Sequence, residues 1–301
     1  MALKKYFSKK ANRNEFYTAL ICLFPSLVIG MTFVIIPIIM VVYLSFTKWD
    51  LISETKKFIG LANYIYLLKN PKFLKSVANT FYFAAVQIPL DLVFSLFFAF
   101  LLDKKIRGLR FFRAIYFAPV VTSMVAVSAI WLWFYDPQFG LFNYILKQIG
   151  LSPLKWLYDP HLAMLSIVIM SVWKGLGYNI VIFLAGLQNI PESYYEAADI
   201  DGANNWEKFK HITLPLLSPV TYFIILISVI NSFKVFTQIS VMTPRGGPLY
   251  STGVIVFYIY QQAFEGYKIG RASAAAMILF LGVLAITFVQ RRIGEKRVHY
   301  T

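Results

Sequence analysis

Asp199 and Asp201 stand at D-x-D spacing, a pair that could hold a divalent cation for glycosyl transfer. Such a site needs further acidic residues and a large catalytic domain. The sequence offers neither, and the alternative is a solvated helix end. His161, His211 and His299 are scattered singles that read as surface residues rather than ligands. The one cysteine, Cys22, lies in an apolar run, so neither an intrachain disulfide nor a cysteine-based metal site is available. No G-x-x-x-x-G-K-[ST] loop occurs, because Gly175 and Gly177 follow Lys174 instead of preceding a Lys-Ser/Thr pair. What remains is a set of polar residues inside apolar runs: Asp91, Lys174, Asn179, Asn231, Lys234 and Gln238. Polar groups in such runs usually face a pathway or a partner helix.

The runs that position these residues are too apolar for a soluble domain. The 301 residues are 58% hydrophobic and 14% charged, against about 45–50% and about 25% in an ordinary soluble domain. A helix needs about 20 consecutive apolar residues to cross a bilayer. Six stretches qualify, at about 16–47, 76–102, 115–135, 162–187, 216–235 and 272–290. The first is too long for the apolar core of a signal peptide and reads as an uncleaved anchor. A run of 12 residues at 253–264 is too short to cross and reads as a helix at or above the outer face. Six spans place both termini on one side. With the termini inside, inner segments hold 16 Lys/Arg and outer segments 11, so both termini are expected to be cytoplasmic. The net charge of +15 then belongs to loops beside anionic lipid, and nucleic acid is not expected as a partner. With no repeat and no soluble insertion, residues 1–301 read as one all-α integral membrane domain.

The inner segment 188–215 departs from that charge pattern. It holds Glu192, Glu196, Asp199, Asp201 and Glu207 against only Lys208 and Lys210, which suggests contact with something other than lipid. Pro191 suits a first helical turn, with Glu192 favoured by the N-terminal dipole. Glu196, Ala197 and Ala198 continue the helix, and Asp201-Gly202 ends it. A second short helix follows at about 205–211, capped by Asn204 or Asn205. The expected product is a helix–turn–helix exposing Ala197, Ala198 and Ala203. Small side chains there let another protein's groove approach the backbone.

These residues resemble a family. Permeases of binding-protein-dependent ABC importers carry a cytoplasmic loop of pattern E-A-A-x-x-D-G-A, five residues, then F-x-x-I-x-L-P-x-x-x-P. Glu196, Ala197, Ala198, Asp201, Gly202, Ala203, Phe209, Ile212, Leu214, Pro215 and Pro219 match all eleven specified positions. The Phe183–Gln188 run, the Thr243–Pro248 segment, and Gly270 with Ala272 and Ala274 resemble the carbohydrate branch, which includes permeases for maltose, other oligosaccharides and glycerol phosphate. The resemblance is weakest before residue 70. It implies a type I importer permease fold in a bacterial or archaeal cell membrane, and no chemistry in this chain. It also implies a second permease subunit, two ATPase subunits that bind ATP and Mg, and an external sugar-binding protein. The short helix of the loop would sit in an ATPase groove. Glu196 would pair there with a basic residue, and Gly202 would supply the turn. A permease of the same fold for glycerol phosphate or amino acids remains a rival, as does a membrane-embedded enzyme, against which the missing catalytic constellation argues.

Two groups of residues are candidates for the sugar pathway. Ser228, Asn231, Lys234 and Gln238 recur at steps of three, three and four, which is one stripe on a helical fifth span. They form either a sugar-facing wall or hydrogen bonds between helices. Trp173, Tyr178 and Asn179 supply the ring faces, donors and acceptors a sugar needs, while the glycines nearby fit close helix contacts equally well. Asp91 is expected either to pair with Lys174 or to support a bend beside Pro89.

Overall fold

A computed structural model describes residues 10–50, 56–103 and 109–294. The basic residues of 1–9, 104–108 and 295–301, which carry much of the reading of the termini as cytoplasmic, lie outside the described residues. The chain opens with α1 (Lys10–Gly30), which passes through a π turn into α2 (Ile36–Ser45). A short antiparallel hairpin, β1 (Thr47–Lys48) with β2 (Lys57–Phe58), leads to α3 (Ala62–Lys69) and the long α4 (Pro71–Asp103). Then come α5 (Leu109–Val121), α6 (Met124–Phe134), α7 (Leu141–Gln148) and α8 (Ala163–Gln188). The loop helices are α9 (Glu192–Ile200) and α10 (Asn205–Lys208), followed by α11 (Leu214–Leu216) and α12 (Ser218–Phe233). The chain ends in α13 (Thr237–Met242), α14 (Ile255–Tyr260) and α15 (Ile269–Gly294).

Among the described residues four helices are long and apolar enough to cross a membrane: Glu15–Ser45, Pro71–Asp103, Ala163–Gln188 and Ile269–Arg292. Two further spans count only as bent pairs. The third, expected as one run over 115–135, is broken between Val121 and Met124 with a bend of 111°. Pro119 has no N–H to give the preceding turn and loosens the helix just before the break. The fifth, expected over 216–235, has a 62° bend at its N-terminal end and stops at Phe233. Its continuation turns away so that Val235, Ile239 and Met242 join a core with Val127, Trp131 and Ile167, which a straight helix would not reach. The run at 253–264 is helical from Ile255 and leaves Phe264 exposed. Ile255, Phe257, Tyr258 and Ala263 are buried, and α14 packs on α4 and α15.

The centre of the fold is the pair α4 and α8, which pack along each other more extensively than any other two elements. α5 and α12 close on this pair from either side, and α15 packs on α2. By contrast α1 and the π turn after it leave their large apolar side chains outside, with Ile21 71% and Phe33 74% exposed, as a lipid-facing helix would. Gly177 sets the spacing of α8 to α5, since a Cβ there would overlap the Tyr116 carbonyl. Gly177→Ala should therefore destabilise the protein by about 1–3 kcal/mol through overpacking. The readout is a lower midpoint of thermal unfolding in detergent. An unchanged midpoint would show that α5 moves aside without cost.

Candidate functional site

Two polar features stand out in this apolar chain, and local sequence builds the first. At the end of α9, Gly202 takes φ +77, and two backbone bonds close the turn: Gly202 N–H to Asp199 O at 3.1 Å and Ala203 N–H to Ala198 O at 2.9 Å. That is a Schellman ending, and it needs a residue that accepts positive φ. Asn204 then caps α10. Its side-chain oxygen accepts from the N–H groups of Trp206 and Glu207 at 3.0 Å, while Glu207 Oε2 accepts from Asn204 N–H at 2.7 Å. Of the two proposed caps, Asn204 is therefore the one used, and Pro191 sits at the N-cap of α9 rather than inside its first turn. Lys208 pairs with Asp199, and the Tyr195 hydroxyl bonds Thr213 Oγ1 at 2.9 Å. Phe209 meets Phe100 at the end of α4 edge-to-face at 5.8 Å. The helix–turn–helix is thus tied to the membrane helices at its root.

Its outer face is open. Glu196, Ala197, Asp201 and Gly202 are exposed, while Ala198 and Ala203 are half-buried. Among the described residues the Glu196 side chain makes no hydrogen bond or ion pair. Ile200 is 87% and Trp206 67% exposed, and the sequence reading passed over both. Two apolar side chains set among charged neighbours in a loop were the available signal.

The second feature is a half-open cavity of about 480 Å³ between α4, α8, α12 and α13, which Val120 and Met124 also line. Tyr178 and Asn179 of α8, Asn231 of α12, Lys234 and Gln238 all line it. They do not arrive as one stripe. Lys234 ends α12 and Gln238 lies on α13, so the kink rather than helical period brings them together. Trp173 is elsewhere. Its ring packs at a tilt against Trp131, centroids 5.4 Å apart, and lines a separate apolar cavity with Phe98 and Tyr116. Gln238 donates to Ser171 Oγ at 3.4 Å, and Ser232 donates to Gln87 Oε1 at 2.7 Å.

Lys174 does not pair with Asp91. Its ammonium donates to the carbonyls of Pro119 and Thr122 at 3.0 Å and of Val120 at 3.4 Å. It caps the last turn of α5 at the break in the third span, where a cation is favoured by the helix dipole. Asp91 instead accepts from Asn179 Nδ2 at 2.8 Å. Gln87, Asp91 and Ser171 are cavity residues that the sequence reading did not assign to a pathway.

The model of the family described as binding-protein-dependent transport system inner membrane component matches residues 59–299. The chain belongs to this family. It is therefore an ABC transporter permease and not an enzyme. A probable ABC transporter permease of Pyrococcus horikoshii is 36% identical over 266 residues, covering 88% of this chain and 91% of that protein. The arabinooligosaccharides transport system permease AraP of Bacillus subtilis is 34% identical over 294 residues, covering 96% and 90%. A chain of a bacterial alginate ABC transporter, solved with an alginate pentasaccharide-bound periplasmic protein, superposes with a TM-score of 0.82. It covers 94% of this permease and 96% of that chain at 22% identity, so the likeness carries the fold.

The Schellman turn yields a direct test. A β-branched residue strains at the φ of Gly202, so Gly202→Val should distort the turn without touching the cavity. Transport and substrate-stimulated ATP hydrolysis by the assembled transporter should fall together. Normal transport would remove the turn from the coupling path.

Proposed function

We propose that this permease forms, with a second permease subunit, the pathway of an ATP-driven importer for a sugar or oligosaccharide. The observation that carries the reading is the 480 Å³ cavity, where hydroxyl and amide side chains from four elements converge inside an otherwise apolar chain. Neutral donors and acceptors beside the exposed Tyr178 ring suit a solute rich in hydroxyls and C–H faces. The arabinooligosaccharide relative supports the same substrate class. In this reading residues 1–301 form one domain with six crossings and both termini cytoplasmic, in contact with lipid in the inner membrane. An external sugar-binding protein delivers the cargo. Two ATPase subunits hold ATP and Mg and dock on the exposed face of 196–203. Lys234 on the cavity wall supports a second reading, an anionic solute such as glycerol phosphate. ATP-dependent uptake by proteoliposomes of the whole transporter, offered neutral oligosaccharides and glycerol phosphate in turn, separates the two.

Asn231→Ala removes one cavity amide. Loss of a hydrogen bond worth about 0.5–1.5 kcal/mol should slow sugar uptake by about two- to tenfold. Uptake of every offered sugar at the wild-type rate would make Asn231 a packing residue.

Glu196 is the docking charge in this proposal. Exposed ion pairs contribute about 0–1 kcal/mol, but reversing one partner of a desolvated interfacial pair has a larger effect. Glu196→Lys should weaken ATPase binding in detergent, and added salt should weaken the wild-type complex in the same direction. An acidic substitution on the ATPase should restore part of the binding. If Glu196→Lys leaves the ATPases bound and transport intact, docking works by shape through Ala197, Ala198 and Gly202.

A further inference from the structure

The first outer segment, 48–75, carries Lys48, Lys56, Lys57, Lys69, Lys72 and Lys75 against Asp50 and Glu54. In membrane proteins Lys and Arg gather on the cytoplasmic side, where anionic lipid attracts them. An outer segment of this charge calls for a different counterpart. Part of the charge collects at one place. A half-open cavity of about 400 Å³ lies between β1, α3 and the start of α15, and Lys48, Lys268 and Arg271 all line it. Its walls include the rings of Trp49 and Tyr66. The Arg271 guanidinium lies over the Tyr66 ring, 3.7 Å from its centroid, and Lys56 Nζ lies over Trp49 at 4.4 Å. Stacking occupies the flat face of a guanidinium and leaves its N–H edge for a planar acceptor. No carboxylate among the described residues forms an ion pair with these cations. Asp50 also lines the cavity, and it already interacts within the chain.

The segments that build the cavity are tied to one another. Asn63 is buried and donates to the carbonyls of Ser45 and Thr47, both at 2.9 Å. Gly270 N–H donates to the Trp49 carbonyl at 3.3 Å, and a Cβ on Gly270 would overlap the Thr47 carbonyl. The end of α2, α3 and the start of α15 therefore meet here, and a hydrogen-bonded frame presents the cations.

We propose that this cavity is a carboxylate socket, which receives an Asp or Glu side chain from the surface of the external binding protein. The proposal rests on the importer reading above, with its outer placement of 48–75, and adds to it the charge and the seat of the contact. Arg271 supplies a bidentate fork of donors. Lys48 and Lys268, both exposed, supply the field that steers an acidic patch toward it. A single lipid headgroup would answer the cavity alone. The exposed basic surface continues along α3 to Lys69, Lys72 and Lys75, which suits a broader acidic face on a protein.

The test measures ATP hydrolysis by the whole transporter against the concentration of its sugar-loaded binding protein. The transporter is held in nanodiscs of phosphatidylcholine, alone and with added phosphatidylglycerol. Raising the ionic strength from about 0.01 M to about 0.15 M shortens the Debye length from about 30 Å to about 8 Å, so the half-saturating concentration for the wild type should rise. Arg271→Gln, and separately Lys48→Gln combined with Lys268→Gln, should raise it about tenfold with the plateau rate kept, the scale of one hydrogen bond to a charged group. A purely structural role for these side chains would lower the plateau instead, and would overturn the proposal. If Arg271→Gln fails to assemble, the exposed lysine pair decides alone. Unshifted half-saturation in the lysine pair, or a wild type indifferent to salt, would overturn the socket and leave the importer reading standing. A shift seen only in discs with phosphatidylglycerol would assign the cavity to a lipid headgroup and overturn the socket too. A wild type whose ATP hydrolysis ignores the binding protein at every concentration would overturn both.

Discussion

Lys174 sets an ammonium against the last carbonyls of a helix that ends inside an apolar run, 52 to 55 residues away in sequence. Backbone groups in such surroundings must find partners within the protein, because lipid offers none. Without that cation the carbonyls of Val120 and Thr122 at the break between α5 and α6 would lose their ammonium donor, and that of Pro119 would keep only the Thr122 N–H. With it the third span can turn through 111°, and α6 swings across to meet α13. The cavity wall follows from this geometry. The kink after α12 places Lys234 and Gln238 beside α8, and the engagement of Lys174 elsewhere leaves Asp91 without a cationic partner.

The helix–turn–helix works on the opposite principle. Nearly every bond that shapes it is local: the two bonds around Gly202, the capping box of Asn204 and Glu207, and the Lys208–Asp199 pair. Its link to the spans is narrow, running through Tyr195–Thr213 and Phe209–Phe100. In the proposed importer a push on its outer face would be delivered at the root of α12 and the end of α4. Those two helices also line the cavity.

This contrast explains what could be read from the chain. Residues 191–208 were legible because turn, cap and charge are set by neighbours a few positions apart. The four long apolar spans were legible by length. The break at Thr122 was not, because its stabilising partner is distant and Pro119 alone weakens a helix without saying where it ends. The end of α12 was hidden for a different reason. Ser232-Phe233-Lys234-Val235 contains no glycine or proline, and the chain turns there only to bury Val235 and Ile239. An Asp91–Lys174 pair was a reasonable expectation from two lone charges in facing spans, and competing backbone acceptors overrode it. Grouping Trp173 with Tyr178 was avoidable, since five residues along a helix is well over a third of a turn off one face.

Ile200 and Trp206 carry a consequence for the cell rather than for transport. Both project from the exposed side of the loop, 87% and 67% open. Solvent-exposed apolar side chains are what chaperones and membrane proteases grip. A permease made in excess of its ATPase would display this pair, and a complete transporter docked through the loop would cover it. The same few side chains would then report subunit stoichiometry to the degradation machinery, so that orphan copies are removed while assembled ones persist.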